Sequence, residues 1–139
     1  MNNDSNVNKI SNEKIKMFLR NKNFDIVTGA DMVIVYDIKK NLIEGTTDEY
    51  SNKLVLKDTL ENEKAEKLLT FIKDDSSYDW NPKQTYSNFN PIRQFMIRNN
   101  SQRIFLLINE KYDTMSFVNL DGQKLVALSD NFSKFLIDY

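Results

Sequence analysis

Apolar positions recur at helical spacing in "ISNEKIKMFLRNKN", where Ile15, Phe18 and Leu19 share one face and Lys14, Lys16, Arg20 and Lys22 fall largely elsewhere. Ser11 is placed to cap this helix, with Ile10 and Ile15 at the two positions of a hydrophobic staple. The next stretch, "FDIVTGADMVIVYDIKKN", predicts a hairpin that turns at Thr28-Gly29-Ala30. Its second strand is rich in β-branched residues and apolar on both faces, so it is expected inside a sheet or under a helix. "LIEGTTDEYSN" reads as a connector and "KLVL" as a short further strand. A second helix is expected over "KDTLENEKAEKLLTFIKDD", with Asp58 and Glu61 at capping-box spacing and Leu60, Leu68, Leu69 and Ile72 facing inward.

The C-terminal third alternates apolar runs with turn residues. "IRQFMIR", "RIFLLIN", "MSFVNL" and "KLVAL" predict a meander, with "NNSQ" and "DGQ" supplying turn chemistry. Ile104 to Ile108 is unbroken apolar sequence, and this predicts a central strand covered on both faces, with all five side chains buried. "SDNFSKFLIDY" closes as a helix capped by Ser129 or Asp130, turning Phe132, Phe135 and Leu136 toward the sheet. The expected fold is α+β: an antiparallel β-meander with an N-terminal hairpin, and helices packed mainly on one face. Residues 10–139 are expected to form a single domain behind a disordered tail over residues 1–9.

Composition narrows the chemistry. The 139 residues carry a net charge of −1, so no global field draws nucleic acid or an anionic membrane. With no histidine and no cysteine, disulfides, His- or Cys-built zinc sites, Ser-His-Asp triads and Cys-His dyads are all excluded. Three glycines leave no phosphate cradle of the P-loop or dinucleotide type. "DDSSYDWNPKQ" begins like a calcium loop but lacks its glycine and closing glutamate, so no cofactor or metal is expected. No membrane-spanning segment is expected either. As written, the polar start shows no signal peptide and suggests a cytoplasmic protein; a removed leader would place it in the periplasm or make it a lipoprotein.

The stretch "DDSSYDWNPKQTYSNFNPIRQF" is polar and loop-like, yet it holds five of the sixteen aromatic residues. Large amphipathic rings either pin a long loop to the layer beneath it or present anchors to a partner. Pinning is the simpler reading, with Trp80 half-buried, its ring face packed and its N–H edge in water. Candidate partner-binding residues are Asp74, Asp75, Tyr78, Asp79, Trp80 and Tyr86. Asp74 and Asp75 stand against the C-terminal dipole of the second helix, so something such as Lys73 or Lys83 is expected to compensate them. The three acids beside a sugar-stacking aromatic also have the residue types of a glycosidase, although acids within one loop seldom flank a substrate from opposite sides. Arg93, Arg98 and Arg103, with Tyr86 and Phe89 nearby, suggest a basic aromatic face, but Arg98 and Arg103 flank a tight turn and no RNA-recognition signature accompanies them; no nucleic-acid partner is expected.

The order of "DDSSYDW", "FNP" and "RIFLLIN" resembles a loosely defined group of small bacterial proteins with a D-x-x-S-Y-x-W segment, an F-x-P step and an aliphatic hairpin. Members often carry cysteines around the F-x-P step and at the end of the aliphatic strand, which this chain lacks. The resemblance covers about 80 residues from position 58 and implies no activity. It associates the chain with immunity proteins and lipoproteins. The function expected is a non-catalytic binding protein, an immunity-type inhibitor of a partner toxin domain. The alternatives are a small envelope-located, ligand-binding protein and a carboxylate-based hydrolase.

Overall fold

Among the residues described by this computed structural model, 11–81, 89–119 and 121–139, three helices lie against one antiparallel sheet of seven strands. The tail expected over residues 1–9 lies outside them, as does Ile10 of the expected staple. In chain order the elements are α1 (Glu13–Thr28), β1 (Met32–Leu42), β2 (Tyr50–Leu60), α2 (Asn62–Ile72), a 3-10 turn (Asp75–Ser77), β3 (Tyr78–Asp79), β4 (Pro91–Asn99), β5 (Gln102–Asn109), β6 (Thr114–Asn119), β7 (Gly122–Leu128) and α3 (Asp130–Ile137). The strand order is β2-β1-β4-β5-β6-β7-β3, so β4 to β7 form the expected meander and the β1–β2 hairpin joins its β4 side.

The hairpin is one strand further along than the sequence suggests. Residues 24–28 finish α1, where Phe24, Ile26 and Val27 are buried, and β1 pairs forward with β2. "DIV" is strand-like in isolation, but continuing the helix buries its apolar residues on the sheet, and packing overrides propensity. Likewise, Asp58 does not cap the second helix. Residues 58–60 extend β2, and α2 starts at Asn62 after Glu61, which offers no side-chain cap. The short "KLVL" strand thus grows to eleven residues.

Strand alternation sends Val33 and Val35, Phe95 and Ile97, Ile104, Leu106 and Ile108, Met115 and Phe117, and Val126 and Leu128 to one face. There they join Ile15, Leu19 and Phe24 of α1, Leu68 and Ile72 of α2, and Phe132 and Leu136 of α3 in one core. Phe71 of α2 stacks on Phe132 and Phe135 of α3 at 5.2 and 4.5 Å between ring centroids, tying those helices together. Ser129 caps α3 as expected, accepting from the Phe132 N–H at 3.4 Å.

The central strand departs from expectation. Ile104, Leu106 and Ile108 are buried, but Phe105 and Leu107 are only half-buried on the opposite face, which none of the described helices covers. An unbroken apolar run therefore does not imply two covered faces here. Replacing Leu106, which is fully buried, with alanine should cost about 2–5 kcal/mol in denaturant unfolding. The same change at Leu107 should cost roughly 1 kcal/mol. Equal costs would mean that the second face is covered after all.

Candidate functional site

The acidic aromatic loop is built around Asp75. Its carboxylate reaches back over sixty residues to the start of α1, where Oδ1 accepts the Ile15 N–H at 2.7 Å and Oδ2 accepts the Lys14 N–H and the Ser11 hydroxyl, each at 3.0 Å. Its own N–H donates to the Ser11 carbonyl at 2.8 Å. α1 begins after Asn12, which gives no side-chain cap, so the cap expected from Ser11 comes instead from Asp75, with Ser11 as a donor to it. The positive end of the α1 dipole faces this carboxylate, and that is the compensation the sequence reading sought in Lys73 or Lys83. Lys83 lies outside the described residues.

The neighbouring groups are also held internally. Asp74 accepts the Ser76 N–H at 3.0 Å and starts the 3-10 turn; Asp79 accepts the Asn81 N–H at 3.1 Å. Tyr78 is buried, with its hydroxyl donating to the Ile72 carbonyl at 2.6 Å and its ring at 5.9 Å from that of Phe132. Burial, then the charges of Asp74 and Asp75, push its phenol well above the usual value. Trp80 is half-buried as expected, its ring 5.7 Å from Phe18 and 5.3 Å from Tyr78. Its N–H edge is not left to water, however, but donates to the Asp75 carbonyl at 3.0 Å. Tyr86 lies outside the described residues.

The structure thus brings Asp74, Asp75, Tyr78, Asp79 and Trp80 together: Asp75, Tyr78 and Trp80 bond between α1, α2 and the loop, while Asp74 and Asp79 hold its local turns. The expected arginine face divides. Arg93 turns into the core side, pairing with Asp37 at 3.4 Å and lying 5.9 Å from the Tyr112 ring. Arg98 holds Asp31 at 2.9 Å, and Asp31 also accepts the Asn100 N–H at 2.7 Å. That backbone hydrogen bond, then the one from Arg98, lowers the Asp31 carboxyl below its ordinary range.

A second surface was not singled out from the sequence. On the face away from the helices, two rows cross the sheet: a mixed one of Leu56, Tyr36, Gln94, Leu107, Ser116 and Leu125, and beside it an apolar one of Ile34, Met96, Phe105 and Val118. At one end β1 and β2 run beyond β4, which supports β1 only over Met32–Asp37. Residues 38–42 and 50–54 therefore project as a two-stranded arm. β2 is the outer strand, and Leu54, Val55 and Leu56 on it are 48%, 39% and 63% exposed. The signal was the "KLVL" run itself, read only as a strand.

No family pattern matches the chain, and no curated protein matches it. Among solved structures, the crystal structure of a Clostridium perfringens protein described as a "putative lipoprotein" is similar to it at 12% identity, with a TM-score of 0.43 over 84% of this chain and 90% of that one. Among the described residues no helix is long and apolar enough to cross a membrane.

Asp75→Ala removes three accepted hydrogen bonds and should lower stability by about 2 kcal/mol, with Trp80 emission shifting to the red as its anchor loosens. An unchanged midpoint in chemical denaturation would remove Asp75 from this role.

The buried phenols give a pH test. Tyr139, raised by burial and then by the Asp58 charge, is pushed up to about 12, in the same direction as Tyr78. An unfolded tyrosine loses its proton near pH 10, earlier than these two do in the folded state, so their contribution is complete below about pH 10 and falls as pH rises toward 12. Of six tyrosines, absorbance at the phenolate band should show Tyr78 and Tyr139 ionising late, Tyr78 only with unfolding. Titration of all six as one ordinary group would contradict this.

Proposed function

We propose that this chain is a non-catalytic binding protein that recruits another protein by strand addition along β2. The observation that carries the proposal is the exposed apolar run Leu54-Val55-Leu56 on an outer strand of eleven residues. An outer strand presents unpaired N–H and C=O groups, and a peptide backbone is the ligand that satisfies both these and the apolar side chains. Leu54 and Leu56 continue the open apolar face through Ile38 and Tyr36, so a docked strand would meet a wider platform.

A second copy fits this edge poorly. Antiparallel self-pairing centred on Val55 sets Lys53 against Lys57 of the copy, and Lys57 is the extra residue of a bulge that interrupts the register. Lysines and bulges protect edges from self-association. The same lysines suit a neutral or acidic strand from a different protein. Asp75, Tyr78 and Trp80 of the 74–80 loop are engaged inside the fold, so the proposed contact moves from that loop to the β2 edge. The loop's acids accept backbone N–H groups, and that supports the non-catalytic reading over a carboxylate-based hydrolase.

The particular case we propose is an immunity-type inhibitor, in which the docked partner is a toxin domain. A toxin-type domain encoded beside this chain's gene would be the partner to test. Calorimetry should give a 1:1 complex, and Leu54→Lys with Leu56→Lys should raise Kd about 30-fold or more while leaving thermal unfolding nearly unchanged. In cells, the unaltered chain should restore growth against that domain and the variant should not. Binding that is indifferent to both substitutions would sink strand addition; binding without protection would sink the immunity case alone.

A further inference from the structure

α1 is broken at Arg20, whose φ of 71° and ψ of 161° lie in a region that side-chain-bearing residues rarely adopt. The break frees two carbonyls of the first half. Lys124 donates to that of Phe18 at 2.7 Å, and the Asn23 amide donates to that of Leu19 at 2.9 Å. Asn23 in turn accepts from Asn119 at 2.7 Å, and Asn119 accepts the Asp121 N–H at 2.8 Å. The bend is thus held from both β6 and β7. It leaves the second half of α1 standing beside the end of the sheet opposite the arm.

An open cleft of about 490 Å³ lies there, between Lys22, Asn23 and Ile26 of α1, Arg103 and Phe105 of β5, and Val118 of β6. Its volume is that of a small-molecule site. The β5–β6 ladder ends at Phe105 and Val118, and these two with Ile26 give it an apolar wall. A smaller cleft of about 270 Å³ adjoins it across the Asn23–Asn119 pair and is edged by Arg20 and Lys124. Around the two, four cations face one acid, Asp121, although the whole chain is at −1. Among the described residues Arg20, Lys22 and Arg103 form no ion pair. Asn23 and Asn119 are bonded to each other, which leaves the charged side chains as the groups best suited to meet an anion.

We propose that this cleft binds a small organic anion, a carboxylate or phosphate on an apolar body, with Lys22 and Arg103 holding the charge and Ile26, Phe105 and Val118 the body. The concentration of positive charge against a low-dielectric apolar wall selects the anion, and the wall selects its tail. This site is separate from the β2 edge and stands or falls without it.

The test uses the whole chain and anilinonaphthalene sulfonate, an anion on an aromatic body, beside its uncharged relative N-phenyl-1-naphthylamine. Fluorescence titration should show one sulfonate site, with amide NMR shifts centred on Ile26, Phe105 and Val118. Lys22→Glu with Arg103→Glu should weaken the sulfonate at least tenfold and leave the uncharged probe unaffected, and Arg103→Gln alone should weaken it severalfold. All three substitutions are on exposed side chains, and circular dichroism confirms that the variants fold. Displacement of the sulfonate by phenyl phosphate or by benzoate supports the site and tells which anion it prefers. Equal sulfonate affinity in the charge-reversed protein, shifts centred on Tyr36, Leu107 and Leu125 with none at Ile26, or displacement by neither anion would overturn it.

Discussion

One carboxylate closes the fold. Asp75 sits between the end of α2 and the short β3, yet its oxygens complete the first turn of α1, and its carbonyl fixes the Trp80 indole. Two elements with opposite electrostatic needs meet at this point: the C-terminus of α2 disfavours an acid, and the N-terminus of α1 requires one. The aromatic cluster follows from that junction. With the loop drawn against α1, Phe18, Trp80, Tyr78 and Phe117 fall within edge or tilted contact of one another, and Tyr78 hands its hydroxyl to the last turn of α2. Over the described residues, this dense aromatic loop is the seam between three elements.

The sheet divides the work of the molecule between its two faces. One face carries the helices and nearly all of the fully buried side chains. The other keeps an apolar row and a mixed one under no described helix, and its β2 margin extends past the strand that would support it. Core stability therefore resides on the first face, where a lost methylene leaves a cavity, whereas the second face and the arm tolerate change at lower cost.

Local patterning revealed the meander, the amphipathic helices, the Ser129 cap and the α+β class, because each depends on residues close in sequence. It mislocated the hairpin because "FDIV" satisfies a strand pattern as well as the last helical turn, and only the position of the sheet decides between them. It gave Asp58 a cap that β2 absorbed, since eleven residues of pairing with β1 outweigh one capping interaction. It found the residues of the 74–80 cluster and the pinning of their rings, but not the cap: one supplied from sixty residues away leaves no local signature beyond two acids at an unfavourable helix end. The cleft beside α1 was equally hidden, for its residues come from three separate segments and its bend falls at an arginine rather than at glycine or proline.

The bonds that secure the broken helix also set an order of assembly. Phe18 waits for Lys124 and Asn23 for Asn119, separations of 106 and 96 residues in a chain of 139. Such closures come at high entropic cost and late in a search dominated by distant pairings. On a ribosome, α1 emerges before the sheet it packs on, but its amino end remains uncapped until residue 75 has been made, and its bend is not sealed until β7 follows. The first of the described helices is thus among the last to be finished, and its apolar stripe stays open to other contacts until then.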